Sequence, residues 1–189
     1  MTAFLRRAGT AYLADGAQLV WSVADGTRGR RWRAMSSADG IITHALLLEV
    51  DLGRRPARLE LTTPAGLLTL HPGPDGTSLH GNVVTSLGMR HLTFAWSGEH
   101  GLSVDGRPVA DAVTAHRLAD TVRVGETRSV AVVAITPDLS LREETVQFER
   151  RGGATWRLTR PGGAHALAID ARGVPAALTD ALEWPLELD

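Results

Sequence analysis

Short stretches of alternating apolar and polar residues run along most of the chain, separated by glycine, proline, aspartate and asparagine. Residues 18–23 (QLVWSV) predict a strand, ADGT at 24–27 predicts a hairpin turn, and residues 28–35 predict the returning strand. Such segments recur about every 8–12 residues, a spacing typical of all-β sandwiches and barrels. The further predicted strands cover 43–50, 58–62, 67–70, 79–85, 91–96, 127–136, 145–150, 155–159 and 164–169.

Two segments depart from this alternation. Residues 107–122 predict a short helix, because Pro108 suits a first helical turn and four residues share one stripe. That stripe consists of Val109, Ala112, Val113 and His116. Residues 175–184 predict a second, shorter helix. We therefore expect one mainly β domain over residues 1–189, with residues 1–16 as a less ordered N-terminal segment.

Four arginines crowd around one tryptophan in GTRGRRWR (26–33). In a strand, successive side chains alternate faces, so Arg28, Arg30 and Trp32 share one face, whereas Arg31 and Arg33 share the other. The arginines thus do not form one basic stripe. The net charge of −1 also disfavours nucleic acid as a partner. All 20 basic residues are arginine, which a genomic codon bias explains simply.

Several classes of protein lack their sequence signals here. The longest uninterrupted apolar run covers only 130–135, whereas a membrane-spanning helix needs about 20 residues. The first 16 residues contain no apolar core of a secretory signal, so we expect a cytoplasmic protein without an integral membrane segment. With no cysteine, no P-loop and no Gly-x-Ser-x-Gly, the sequence predicts no catalytic residue and no cofactor. The histidine spacings predict no metal site.

Three similar strand exits occur, VDLGRRPA (50–57), VDGRPVA (104–110) and IDARGVPA (169–176). In each, an aspartate ends a strand. We expect these aspartates to accept hydrogen bonds from amides of the turn that follows.

The second half of the chain has a recognisable order of short motifs. They are PVADAVTAHRL (108–118), VGE (124–126), SVAVVAITPDLSL (129–141), QFER (147–150), WRL (156–158) and ALAIDARGVP (166–175). This order resembles the bacterial glycolipid-binding family, in which glycolipid binding is inferred from the fold. LLLEVDLGRRPARLEL (46–61) and GLLTLHPGPDGTSLHGN (66–82) fit the family more loosely. GNVV (81–84) stands where the family has a cysteine-containing motif.

The resemblance implies a strongly curved antiparallel sheet that forms an incomplete (half) barrel, with one or two short helices near its open side. Lipoprotein carriers of the LolA type have this form. The concave face would bind a lipid, glycolipid or other amphiphile without catalysis, and rim arginines would hold an acidic headgroup. The motifs assign polar contacts to Arg117, Gln147 and Arg150, and the lining to Trp32, Trp96, Phe148 and Trp156.

Two alternatives stay open. The first is an enzyme acting on a small hydrophobic or sugar substrate in the same cavity, marked by two converging titratable groups with shifted pKa values. The second is a protein-interaction module, such as a homodimer built on an exposed edge strand.

Overall fold

A computed structural model describes residues 4–13 and 15–178, together with the backbone of 181–183. One α-helix, α1 (Pro108–Leu118), and one 3-10 helix (Ala176–Leu178) accompany the strands in this part of the chain. The strands are β1 (Arg6–Tyr12), β2 (Gln18–Gly26), β3 (Gly29–Ala38), β4 (Ile41–Val50), β5 (Pro56–Thr63), β6 (Gly66–Pro72), β7 (Ser78–Thr85), β8 (Gly88–Ala95), β9 (Gly101–Val104), β10 (Thr127–Ile135), β11 (Leu141–Arg150), β12 (Thr155–Arg160), β13 (Gly163–Ala168) and β14 (Ala181–Glu183).

The strands form two sheets. The large sheet has the order β14-β1-β2-β3-β4-β5-β6-β7-β8, and every neighbouring pair in it is antiparallel. The small sheet has the order β13-β12-β11-β10-β9, in which only β9 and β10 run parallel. The prediction of a mainly β fold with a curved antiparallel sheet and short helices is confirmed, although the strands divide between two sheets.

Alternation along the hairpin β2–β3 places the predicted residues on the predicted faces. Trp21 lies opposite Ala34, and Val23 lies opposite Trp32, and all four are buried. Arg31 and Arg33 lie on the outer face and are exposed. We call the buried side of the large sheet its inner face.

Strands β9 and β10 are parallel neighbours, and such a pair requires a crossover connection. Helix α1 lies in that connection. Val109, Ala110 and Val113 pack into the core of the large sheet. Ala112 and Ala115 pack with the core of the small sheet. The helix is therefore buried between both sheets, rather than having the single apolar stripe expected from the sequence, and its side chains fill space along the inner face.

A buried charge cluster fastens α1 to the small sheet. Arg160 donates to both carboxylate oxygens of Asp111, at 3.0 and 3.1 Å, and to Ser103 Oγ at 2.9 Å. Glu144 Oε1 lies 3.3 Å from Arg160 Nη1. Burial raises the pKa of Asp111, while the charges of Arg160 and His165 act in the opposite direction. Arg160 thus forms ion pairs with two buried carboxylates, those of Asp111 and Glu144.

Residues 6–12, within the segment expected to be less ordered, form β1, which pairs with β2 along its whole length. One local expectation was wrong. Residues 175–184, expected to form a helix, contain the 3-10 helix and then β14, which pairs with β1. Residues 179, 180 and 184 of that segment lie outside the described residues. In both cases strand pairing overrides local propensity.

Candidate functional site

A partly open pocket of about 310 Å³ lies at one end of the molecule. The turn between β2 and β3, the loop after β4 and the C-terminal half of α1 surround it, and the turn before Val174 completes it. We call it the Trp32 pocket. It is lined by Phe4, Asp25, Gly26, Gly29, Arg30, Trp32, Val50, Asp51, Leu52, Arg54, Val113, His116 and Gly173.

The pocket is apolar on its inner side and at part of its edge. Trp32, Val50 and Val113 are buried residues of the main core, and Trp32 is 0% exposed. Phe4 and Leu52 are exposed, Leu52 at 76%. Trp32 therefore forms the floor beneath the pocket, and the apolar surface that a bound group can contact comes chiefly from Phe4 and Leu52.

Gly29 allows the turn of the β2–β3 hairpin to approach β4 closely. Its φ is +135°, and a Cβ at this position would lie 1.9 Å from the carbonyl oxygen of Val50. No side chain fits there. Glycine at the start of β3 therefore fixes how Arg30 and Trp32 enter the pocket.

Asp25 and Arg30 form an ion pair across the β2–β3 hairpin. Arg30 Nε lies 2.6 Å from Asp25 Oδ1, and Arg30 Nη2 lies 3.3 Å from Oδ2. Burial acts to raise the pKa of Asp25, but the hydrogen bond and charge of Arg30 hold that pKa below its usual value. Arg30 also donates to the carbonyl of Arg172. This bond holds the β2–β3 hairpin against the turn at residues 170–174.

Arg54 and His116 form the other side of the polar edge. Arg54 Nη1 donates to the carbonyl oxygen of His116 at 2.9 Å, and to Asp120 Oδ2 at 2.8 Å. Arg54 thereby satisfies a carbonyl in the last turn of α1. Burial, followed by the charges of Arg54 and Arg30, lowers the pKa of His116 to about 4. The imidazole is therefore neutral at neutral pH.

The lowered pKa of His116 predicts a loss of stability under acidic conditions. Its pKa is about 4 in the folded state and 6.5 in the unfolded chain, so the unfolded state takes up the proton first. This contribution to stability is present above about pH 6.5 and is lost as the pH falls toward 4. The pKa of His44 is also lowered, so His44 adds to the dependence of wild-type stability on pH.

We expect urea unfolding of His116→Gln to show a slope against pH that is smaller than the wild-type slope by up to about one bound proton. Equal slopes in the two proteins would show that His116 keeps an ordinary pKa.

Of the seven residues assigned from the sequence, Trp32 lines the pocket and the other six lie elsewhere. Trp96 is buried and stacks on His100, with ring centroids 5.1 Å apart. Arg117 donates to the backbone carbonyls of Gly98 and Glu99, and so holds the loop before β9.

The remaining four residues belong to the small sheet. Gln147 is exposed, whereas Phe148 and Trp156 are buried in the core of that sheet. Arg150 donates to the carbonyls of Ala119 and Val122, each at 2.8 Å, and its guanidinium lies over Trp156. These contacts give Phe148, Arg150 and Trp156 structural roles away from the pocket.

Asp25, Arg54 and His116 line the pocket but were not predicted as site residues from the sequence. One signal was available, the repeated aspartate turn. Asp51 accepts a hydrogen bond from Arg55 N at 2.8 Å, and Asp170 accepts from Arg172 N and Val174 N at 2.8 and 2.9 Å. These two turns flank the pocket. The expected hydrogen bonds form at Asp51 and Asp170, whereas the side chain of Asp105, the third aspartate, accepts none among the described residues.

Among residues 4–13 and 15–178, no three histidine, aspartate or glutamate side chains are grouped as metal ligands. Within the same part of the chain, no helix has the length and apolar character to cross a bilayer.

The fold and the pocket define a β-rich protein with a partly apolar pocket at one end. No protein-family model matches the chain, and no curated protein matches it. Its structure is similar to that of a DUF1089 family protein from Pseudomonas aeruginosa, with a TM-score of 0.58 and 15% identity over 83% of this chain and 86% of that one. At this identity the likeness shows a shared fold alone.

Proposed function

We propose that this protein binds a small, uncharged amphiphile in the Trp32 pocket without catalysing a reaction. The observation that carries the proposal is the pocket itself, which combines a buried apolar lining around Trp32 with a polar edge formed by Arg30 and Arg54. Exposed Phe4 and Leu52 would cover the apolar part of a ligand. This is the combination that a molecule with one apolar and one polar end requires.

The size of the pocket limits the ligand. Helix α1 packs along the inner face of the large sheet, so that face does not offer the open concave surface that the resemblance implies. The Trp32 pocket, at about 310 Å³, lies at the lower end of the range for small-molecule sites, which is about 300–1,000 Å³. We therefore expect a single short chain or ring to enter, rather than a whole diacyl lipid.

The polar edge favours an uncharged headgroup over the acidic one expected from the sequence. Arg30 is paired with Asp25, and Arg54 is paired with Asp120. A ligand carboxylate would have to displace an existing carboxylate from an arginine. Hydroxyl groups can instead donate to the aspartates and accept from remaining N–H groups while both ion pairs stay intact.

Protonation states favour binding over the enzymatic alternative. His116 and Asp25 both have lowered pKa values, so both are unprotonated at neutral pH. General acid–base catalysis requires one group that donates a proton as well as one that accepts it. Both groups can accept a proton at neutral pH, and neither carries one to donate.

Titration with alkyl glucosides provides a direct test. Their binding is measured by tryptophan fluorescence and by calorimetry, at concentrations below those at which they form micelles. We expect affinity to rise up to about fourfold for each added CH₂, at about 0.8 kcal/mol per group, and to level off once the pocket is filled. Octanoate at neutral pH should bind more weakly than octyl glucoside. Affinity that does not depend on chain length would contradict the proposal.

Two matched variants locate the binding. Leu52→Ser should weaken octyl glucoside binding about three- to tenfold, because Leu52 loses apolar contact with the ligand. Leu87→Ser alters an equally apolar side chain, 98% exposed in the β7–β8 turn and outside the pocket, so binding should not change. Equal effects of the two substitutions would place binding elsewhere.

A further inference from the structure

Strand β8 lies at one end of the large sheet, and its outer edge has no neighbouring strand among the described residues. It is eight residues long, the longest of the four strands that end a sheet. Natural proteins commonly protect such edges with proline or a β-bulge. β8 contains no proline, and its register with β7 is uninterrupted. The edge of β8 is therefore a template to which a further strand can pair.

The hydrogen bonds to β7 show which backbone groups of β8 point toward the free edge. Trp96 N donates to Thr77 O at 2.9 Å, so Trp96, just beyond β8, is bonded directly to its partner across the ladder. Bonded and non-bonded pairs alternate in an antiparallel ladder, so the even-numbered residues of β8 bond to β7. The odd-numbered residues direct N–H and C=O toward the free edge, and all four are exposed. They are Met89, His91, Thr93 and Ala95.

A second copy of β8 matches this edge when the two strands run antiparallel about a two-fold axis at Leu92. Met89 then lies opposite Ala95 of the second copy, and His91 lies opposite Thr93 of the second copy. All four outward residues of each strand enter bonded pairs. Each copy thus donates four hydrogen bonds and accepts four, so the edge is complementary to itself.

Arg90 distinguishes this register from the neighbouring ones. Its side chain lies on the same face of the sheet as Leu92 and Phe94, and a charge in that position opposes indiscriminate edge pairing. With the axis at Leu92, Arg90 faces the ring of Phe94 of the second copy, which is a favourable cation–π arrangement. An axis at Arg90 would place two arginines opposite each other, and an axis at His91 would oppose two histidines.

We propose that this protein forms a symmetric homodimer by antiparallel pairing of β8 about Leu92, which joins the two large sheets into one. The paired edge is about 27 Å long, from eight residues at about 3.4 Å each. An edge contact of this length buries less than about 1,200 Å², so we expect dissociation at micromolar rather than nanomolar concentrations. No residue of β8 lines the Trp32 pocket, so the dimer does not depend on the proposed ligand.

Sedimentation equilibrium over about 1–500 µM protein tests the dimer. We expect the wild type to shift from monomer to dimer within this range. His91→Pro removes an N–H that the monomer leaves unpaired and should raise the dissociation constant at least about tenfold. His91→Ala keeps that N–H and should dimerise as the wild type does. A wild type that stays monomeric, or equal dimerisation of the two variants, would overturn the proposal.

Introduced cysteines report the register, because the chain contains no cysteine of its own. In Leu92→Cys the two thiols face each other in a non-bonded pair, whose Cα atoms lie about 4.5 Å apart and within the range of a disulfide. In Thr93→Cys the two positions are offset along the strands and lie beyond the reach of about 7 Å. Under mild oxidation we expect Leu92→Cys to form a covalent dimer and Thr93→Cys to remain unlinked. The reverse result would overturn the proposed pairing.

Discussion

Replacing Arg160 by alanine will lower the free energy of unfolding by about 3–5 kcal/mol at neutral pH, because two buried carboxylates lose their shared cation. Arg160 bridges Asp111 on α1 and Glu144 on β11, and both carboxylates are largely shielded from water. Removing one member of a buried ionic cluster costs more than the cluster contributes, because Asp111 then keeps only His165, at 3.8 Å, and Glu144 keeps only the exposed Arg142, at 3.4 Å. Urea unfolding followed by circular dichroism measures the change.

The same variant should show a characteristic dependence on pH. Burial already raises the pKa of Asp111 above its usual value, and the loss of Arg160 removes a charge that lowers it, so this pKa rises further in the folded variant. The folded variant then binds more protons than its unfolded state, so its stability falls as the pH rises. The deficit relative to wild type should be larger at about pH 8 than at about pH 5.

Arg157→Ala is the matched control, because Arg157 lies on the same strand but on its exposed face. Its stability should change by less than about 0.5 kcal/mol. If Arg160→Ala also costs less than about 1 kcal/mol at pH 8, the cluster does not fasten α1 to the small sheet.

Alternation made β2 and β3 predictable from the sequence, because each has one buried and one exposed face. β1 gave no such signal, since none of its residues is buried, and its strand conformation depends on pairing with β2 and β14. β9 is buried on both faces and only four residues long, so it shows no alternation. Its parallel pairing with β10 is determined by the position of α1, which no local pattern reveals.

The pocket was harder to predict than the strands. Trp32 was assigned to the lining with the other motif-derived residues, and it alone of the seven lines the pocket. Arg54 and His116 come from a loop and a helix far apart in sequence, and they meet only when α1 is packed against the large sheet. Motif matching instead selected residues such as Phe148 and Trp156, whose regular spacing reflects the core of the small sheet.

Trp32→Ala will lower the free energy of unfolding by about 3–5 kcal/mol, because it leaves a large cavity in a packed core. Trp32 is fully buried, and its ring centroid lies 6.2 Å from that of Trp21. Weaker ligand binding by this variant would therefore not by itself identify Trp32 as a ligand contact. Denaturant unfolding measures the stability, but a milder substitution is needed to test binding.

Trp32→Phe separates the two roles when compared with Trp21→Phe. Both indoles are buried, and Nε1 of each has no hydrogen-bond partner among the described residues, so phenylalanine sacrifices no such bond at either position. We expect similar losses of stability, of about 1–2 kcal/mol, from the reduced ring volume. Only Trp32 lines the pocket, so only Trp32→Phe should weaken octyl glucoside binding. If both variants bind octyl glucoside as tightly as the wild type, Trp32 acts as a core residue and the ligand contacts must lie nearer Leu52 and Phe4.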